Sequence, residues 1–473
     1  MNEDSRLGKG VESTQSSGLT KTVGIQPVSQ STPTAIGIAA FAAPVCGSFF
    51  LLNPTWSILP GVYAKYFNLE LTVIAAVVLY SRLFDSITDP LIGYLSDRHR
   101  AAGGSRKLWV IFGALYMLVS AYFLFTPPLQ VSWFYYLFWS FNFYLAWTVM
   151  DIPHVAWGRE LFADYHGRAR VYSYRTLFIY VGQTLFFSLP FLPLFSSSEY
   201  TPETLRYAVF IGLFLMIPGL LLAKFIAPDG HAMRATTQDS WRDIARSVVR
   251  NKPLLLFLGT YFIASTSFGM WAGLVFVYLD GYLMFGNKIA MIFLLGNVAG
   301  MLSIPVWLKL IHKTSKSSVW AMGMTLFVIC LAGFWFIKPE VTWLLPMLFT
   351  SGAYMGFACF NILEASIVAD ISDYGTIKFG NERGATYFSF LTLINKISLG
   401  IGSAISLGVA GYYGFDAVKP DAQADVAIFG LRLGFITLPV ICGIIAIALM
   451  TMTPINRYRH KIIRRRIERG YVN

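Results

Sequence analysis

Two aspartates, Asp85 and Asp89, stand four positions apart in Asp85-Ser86-Ile87-Thr88-Asp89, inside a long apolar run. On a helix, positions i and i+4 lie on one face, one turn apart. Two carboxylates held this close in a low dielectric repel, so the pair is suited to share a proton or hold a cation. Oxygen ligands suit hard cations such as Na⁺, and Thr88 adds a hydroxyl on the same stretch. Arg82, one turn earlier, is placed to neutralise part of the negative charge. The plainer alternative is an Arg–Asp bridge that only locks helices together. These residues do not choose between Na⁺ and H⁺.

A charge at mid-bilayer costs at least about 2.5 kcal/mol, so every ionisable residue in an apolar run calls for an account. Thr148 and Asp151 are spaced i and i+3 on another run, where a hydroxyl and a carboxylate can complete a cation shell. His154 follows three positions later. It either contacts a solute, titrates near neutral pH, or bonds a helix carbonyl. Lys396 lies about twelve residues beyond Gly384, which is roughly 18 Å along a helix. Snorkelling from that depth is hard, so a buried acidic partner is expected, with the Asp85/Asp89 segment as candidate. Glu364 is nearer the end of its own run. It lines a path or bonds Lys378 or Arg383 at a mouth, and the mouth reading is favoured.

The elements that position these residues follow from composition. The chain has 473 residues, 55% hydrophobic and 13% charged, against about 25% charged in soluble proteins. So few charges cannot coat a water-facing surface, and lipid must be the solvent for most of the chain. The net charge of +12 does not indicate nucleic acid, because the basic residues sit in short connections and in the C-terminal tail between apolar runs. Cys46, Cys330, Cys359 and Cys442 all lie in apolar stretches without ligand spacing, and read as small buried hydrophobes.

Twelve segments are long enough to cross about 30 Å of hydrocarbon as helices. They centre near Phe49, Leu83, Met117, Tyr144, Gly182, Leu215, Phe268, Leu295, Phe327, Gly356, Ser398 and Val440. Basic residues crowd alternate connections, including Arg100, Arg106 and Lys107, then Arg159, Arg168 and Arg170, then Arg234 to Lys252. This asymmetry puts both termini in the cytoplasm of a multi-pass membrane protein, in the inner membrane if bacterial. Residues 1–33 are polar, lack a signal-peptide core, and read as a disordered tail. Residues 34–226 and 253–454 form two six-helix bundles, joined by a cytoplasmic linker at 227–252 and followed by a basic tail at 455–473. The fold expected is all-α, on a two-repeat plan. Gly93-Tyr94-Leu95-Ser96-Asp97-Arg98 resembles the Gly-x-x-x-Asp-Arg loop of the major facilitator superfamily, and Asp97 and Arg98 are read as coupling or structural residues.

At the charged positions the sequence is similar to the glycoside–pentoside–hexuronide:cation symporter family, from about helix one to helix eleven. Asp85 through Gly93 resembles its helix-two signature, with Arg82 in place. The resemblance implies that Asp85 and Asp89 form the cation site. Met150-Asp151-Ile152-Pro153 resembles the helix-four signature, which implies that Asp151 contacts sugar beside the cation and that Thr148 helps bind sodium. Arg175 matches a substrate-site arginine, with a spacing that differs by one. Asp370 through Gly375 resembles the motif closing helix ten, and Lys396 matches a helix-eleven lysine serving the cation region.

Departures bear on the solute. A well-known member of the family has a sugar-binding aspartate in helix one, whereas Pro44 through Pro54 contains no acid here. Two tryptophan positions are Val155 and Asn361. A galactoside is therefore in doubt, while another glycoside, a uronide or a different polar solute fits. Trp56, Trp147 and Trp157 are available for stacking on sugar. The expectation is a symporter, not an enzyme, driven by Na⁺ or H⁺. It needs no cofactor beyond that ion and works as a monomer on a small solute. Its solute contacts are Asp151, His154, Arg175, Asn361 and Lys396. Two alternatives remain. One is a lysolipid or other amphiphile carrier of the same fold. The other is a membrane prenyltransferase-like enzyme, whose paired aspartate motifs Asp85/Asp89 and Asp370/Asp373 imitate.

Overall fold

The computed structural model describes residues 34–162, 165–230, 241–339, 341–379, 384–419 and 423–452. The 1–33 and 455–473 tails, Arg234 and Arg383 lie outside the described residues.

Twelve helical passes account for almost all of the described chain. In order they are α1 (Ala35–Leu52, carried on by Pro54–Ser57 and Leu59–Phe67), α2 (Leu71–Ala101), α3 (Arg106–Phe125), α4 (Trp133–Glu160), α5 (Tyr165–Ser188) and α6 (Pro202–Phe225). The second half repeats the series with α7 (Lys252–Val277, ending in a wide turn at Tyr278–Tyr282), α8 (Ile289–Lys313), α9 (Lys316–Gly333), α10 (Leu344–Phe379) and α11 (Gly384–Tyr412). The last pass, α12, is built from Asp425–Arg432, a wide turn at Leu433–Thr437, and Leu438–Thr451. Side-chain oxygens start several of them: Thr34, Ser105 and Ser132 each accept a bond from a first-turn backbone N–H. The connection expected at 227–252 also carries a helix, Trp241–Arg250.

Ten of the twelve passes are long and apolar enough to cross a membrane by composition. The other two, α4 and α5, fall short because Trp, Tyr and Arg dilute their aliphatic content. They are the helices that carry Thr148, Asp151 and Arg175. Helix α2 runs past the Asp97–Arg98 motif to Ala101, so the motif lies in its last turns rather than beyond it.

The two halves pack by the same rule. A Cβ on Gly182 of α5 would lie 2.2 Å from the Cys46 carbonyl oxygen on α1, and one on Gly402 of α11 would lie 2.1 Å from the Thr266 carbonyl oxygen on α7. In both halves the fifth helix therefore touches the first backbone to backbone, which only glycine permits.

An even number of passes returns the chain to the face where it began, here called the terminal face. Helices α2 and α11 run antiparallel along the seam between the bundles. Gly411 meets Thr72, Gly408 meets Ala75, and Gly400 meets the Arg82 side chain. Elsewhere on the seam Asn297 donates to Thr184, and Phe187 packs on Phe293. Lys65 and Asp280 form a 2.8 Å ion pair at the face opposite the tails. Among the described residues, every hydrogen bond, ion pair and ring contact between the bundles lies between that opposite face and the level of Lys396.

Candidate cation and solute site

Asp85 is fully buried, and its two oxygens face different bundles. Oδ1 accepts from the Thr148 hydroxyl on α4 at 2.5 Å, and Oδ2 lies 3.3 Å from Lys396 Nζ on α11. Asp89 repeats the pattern, with Oδ1 2.9 Å from the Thr148 hydroxyl and Oδ2 2.6 Å from Lys396 Nζ. The i, i+4 spacing makes this possible, because it points both carboxylates at one neighbouring helix on each side. The resulting cluster has an ammonium on one side and a hydroxyl on the other.

The electrostatics are lopsided. One ammonium faces two carboxylates, and Thr148 has one hydroxyl proton for two acceptor oxygens. On the hydroxyl side, three oxygens therefore converge with too few protons among them. A proton or a small hard cation would satisfy that shortage. The cluster holds only two carboxylates, and among the described residues no group of three or more His, Cys, Asp or Glu is placed to hold a metal.

Not every expected residue joins it. Thr88 directs its hydroxyl to the Asp85 backbone carbonyl at 3.1 Å, as helix hydroxyls do when they bond back one turn. Asp151 turns instead to Arg175 of α5, whose guanidinium donates to its Oδ1. This pair links α4 and α5 one turn from Thr148, so Asp151 neighbours the oxygens of Asp85, Asp89 and Thr148 without sharing their partner. His154 is fully buried against α1. Its Nε2 lies 2.9 Å from the Phe41 carbonyl oxygen, and its ring stacks on Phe41 at 4.2 Å. A carbonyl only accepts, so Nε2 carries the proton and the residue ties two helices rather than facing a solute. Asn361 is exposed on α10 and meets none of the other site residues by a described bond.

Glu364 departs from the mouth reading. It accepts a hydrogen bond from the Tyr261 hydroxyl of α7, while Lys378 reaches the Arg250 carbonyl at 3.1 Å. Asp370 pairs with Lys316 of α9 at 2.6 Å, in the second bundle. It does not confront Asp85 and Asp89, so the facing aspartate motifs of a diphosphate enzyme are not assembled.

Sequence reasoning missed several partners. Arg82 donates to the Tyr144 hydroxyl at 3.1 Å and lies over its ring at 4.1 Å. Asp97 pairs with Arg106 at 2.6 Å, and Arg106 also holds the buried Glu160 at 2.7 Å. Arg100 joins the same Glu160 at 3.0 Å, while Arg98 is exposed. Glu160 was legible as an acid closing an aromatic helix, opposite an arginine-rich connection. Tyr144 offered no comparable mark among so many aromatics.

The chain has known relatives. The chain is 22% identical to an uncharacterized symporter of Bacillus subtilis (strain 168), over 86% of this chain and 89% of the relative. It is 23% identical to an isoprimeverose transporter of Lactiplantibacillus pentosus, over 86% and 85%. It is 25% identical to a putative sulfoquinovose importer of Escherichia coli (strain K12), over 80% of each chain. In fold it resembles a bacterial homolog of the human lysosomal transporter Spinster, solved inward-facing, with TM-score 0.64 at 13% identity over 88% and 96% of the two chains. The nucleoside transporter NupG superimposes with TM-score 0.63 at 12% identity, over 88% and 99%. The sequence profile of one family matches residues 35–457, which takes in both bundles and every charged residue of the seam. The chain belongs to the MFS/sugar transport protein family, and is a multi-pass secondary transporter of the major facilitator fold.

Proposed function

We propose that the chain is a cation-coupled symporter of a sugar, glycoside or uronide, working by alternating access. One observation carries this reading. Two aspartates of the first bundle share one lysine of the second, and leave an oxygen cluster on the other side short of positive charge.

The coupling cation enters between Asp85 Oδ1, Asp89 Oδ1 and Thr148 Oγ1. Its charge adds to that of Lys396, so both carboxylates are compensated. With the solute bound beside it as well, the bundles can rock about the loaded seam. Asp151 and Arg175 sit one turn away and offer an acceptor and a donor to solute hydroxyls. Coupling between cation and solute is a free energy shared by the two sites, and is therefore reciprocal.

The basic residues near the terminal face, Arg100, Arg106 and Lys107, support the reading that this face is cytoplasmic, with both termini inside. Both bundles and the whole seam belong to a single chain, which supports a functional monomer.

The test is uptake in proteoliposomes under imposed Na⁺ or H⁺ gradients. Asp85→Asn or Asp151→Asn should abolish gradient-driven accumulation while the protein still inserts and folds. Undiminished cation-driven uptake in both variants would refute the assignment.

A further inference from the structure

Arg82 stands apart from the other charges of the seam. It lies eleven positions beyond the start of α2 at Leu71, roughly 16 Å along the helix and so near mid-membrane. Its methylenes fill the notch left by Gly400 of α11. Its guanidinium donates to the Tyr144 hydroxyl, and lies 4.1 Å above that ring and 5.8 Å from the Trp56 ring. Among the described residues no carboxylate lies within ion-pair distance of it. Asp85, one turn away, faces Lys396 and Thr148 instead. Arg175 has Asp151 and Lys396 has its two aspartates, so Arg82 alone keeps an unmatched positive charge at the seam.

The surroundings of Arg82 are pre-set and rich in donors. The Tyr144 hydroxyl bonds Thr55 at 3.2 Å, and Thr55 bonds the Leu52 carbonyl at 2.7 Å, so the residue holding the guanidinium is itself held. Helix α1 is interrupted here, between Leu52 and Pro54. Around that break, Trp56 Nε1 and Asn53 Nδ2 are buried and have no hydrogen-bond partner. Both can only donate. Buried donors left without partners are uncommon, and two of them at the α1 break, with the Trp56 ring 5.8 Å from the guanidinium, suit a ligand that only accepts. No acid lies on this stretch of α1 to oppose such a ligand.

We propose that Arg82 binds an oxyanion on the transported solute, a carboxylate or sulfonate on a sugar-like body. This rests on the symport reading above and narrows its solute class. It also gives coupling a physical cause. Asp85, Asp89, Lys396 and Arg82 together carry no net charge in the empty site. A monovalent cation alone leaves a surplus positive charge, and an anion alone leaves a surplus negative one. Only the empty and doubly loaded sites are neutral, and net charge is costly where lipid and protein exclude water. The carrier therefore reorients freely when empty or fully loaded, and poorly when half-loaded. Transport of one cation with one anion is electroneutral.

The full-length protein in proteoliposomes tests this with three probes of one shape: methyl β-glucoside, methyl β-glucuronide, and the glucoside bearing a 6-sulfonate. Uptake is driven by a Na⁺ or H⁺ gradient, with and without a potassium–valinomycin potential. At least one acidic probe should be favoured over the neutral one by about tenfold or more, with no effect of the potential. Arg82→Gln should erase that preference. Arg82→Lys, which keeps the charge, should retain its direction with a smaller ratio. Preference for the neutral glucoside, or acceleration of uptake by an interior-negative potential, overturns the proposal and leaves symport intact. Failure of all three probes to accumulate under either gradient overturns the symport reading together with this one.

Discussion

Lys396 of α11 and Asp89 of α2 are joined by a 2.6 Å ion pair that crosses from one bundle to the other. The same ammonium reaches the fully buried Asp85 at 3.3 Å. Lys396 is thus both a fastening of the seam and a resident positive charge with which any coupling cation must coexist.

Lys396→Met removes that charge and leaves two carboxylates facing each other. Losing one partner of a buried pair costs about 3–5 kcal/mol. The melting temperature of the purified protein should fall, and added Na⁺ or Li⁺ should recover part of the loss if the oxygen cluster takes the ion. A midpoint equal to that of the parent protein would show that the pair does not hold the seam.

Thr148 is the one hydroxyl shared by both aspartates. Thr148→Val keeps the shape and removes the oxygen. An unmade hydrogen bond to a charged group costs about 1.5–3 kcal/mol, so apparent cation affinity should drop roughly tenfold or more. Thr148→Ser should keep most of it. Cation-dependent thermal shifts measure both, and equal cation affinity in the Val variant would remove Thr148 from the site.

The Lys65–Asp280 pair closes the opposite face, with Asp280 buried and Lys65 partly exposed. Lys65→Gln should weaken that closure by about 1 kcal/mol, near fivefold in the equilibrium. Ala75 is buried where α2 meets α11 on the same half of the seam. In a Lys65→Gln background, Ala75→Cys should react faster with a membrane-impermeant thiol reagent added from that face. An unchanged labelling rate would mean that the ion pair does not hold the face shut.

Gly402 sits where α11 crosses α7, and an added Cβ would lie 2.1 Å from a backbone oxygen. Gly402→Val should force these helices apart and cost at least about 1–3 kcal/mol, as overpacking does. Reduced yield and a lower melting temperature of the detergent-purified protein are expected. Parent-like stability would mean that the crossing tolerates separation.

The membrane class, the twelve passes and the charged residues that need a reason to be buried are all legible along the chain. Apolar length and the cost of charge in lipid are local quantities, readable one segment at a time. Asp85, Asp89 and Lys396 stood out because lipid penalises each wherever it ends up, and Thr148 by its spacing from Asp151. Even so, α4 and α5 are marked weakly by hydropathy, because the aromatic and basic residues that build the site dilute their apolar content.

Who partners whom follows from helix packing. The i, i+4 spacing put Asp85 and Asp89 on one face, but the α2–α11 seam turned that face to Lys396 while α4 supplied Thr148. Asp151 and Thr88 carry suitable chemistry at suitable spacing, yet one is claimed by Arg175 and the other by its own backbone. His154 was equally legible as a contact or a tie, and burial against Phe41 made it a tie. Arg82 read as the aspartates' neighbour, until packing gave both of them to Lys396 and left its own charge unmatched. Spacing fixes which side chains share a face, but the bond each one makes depends on which distant helix arrives there, and that depends on packing across the whole chain.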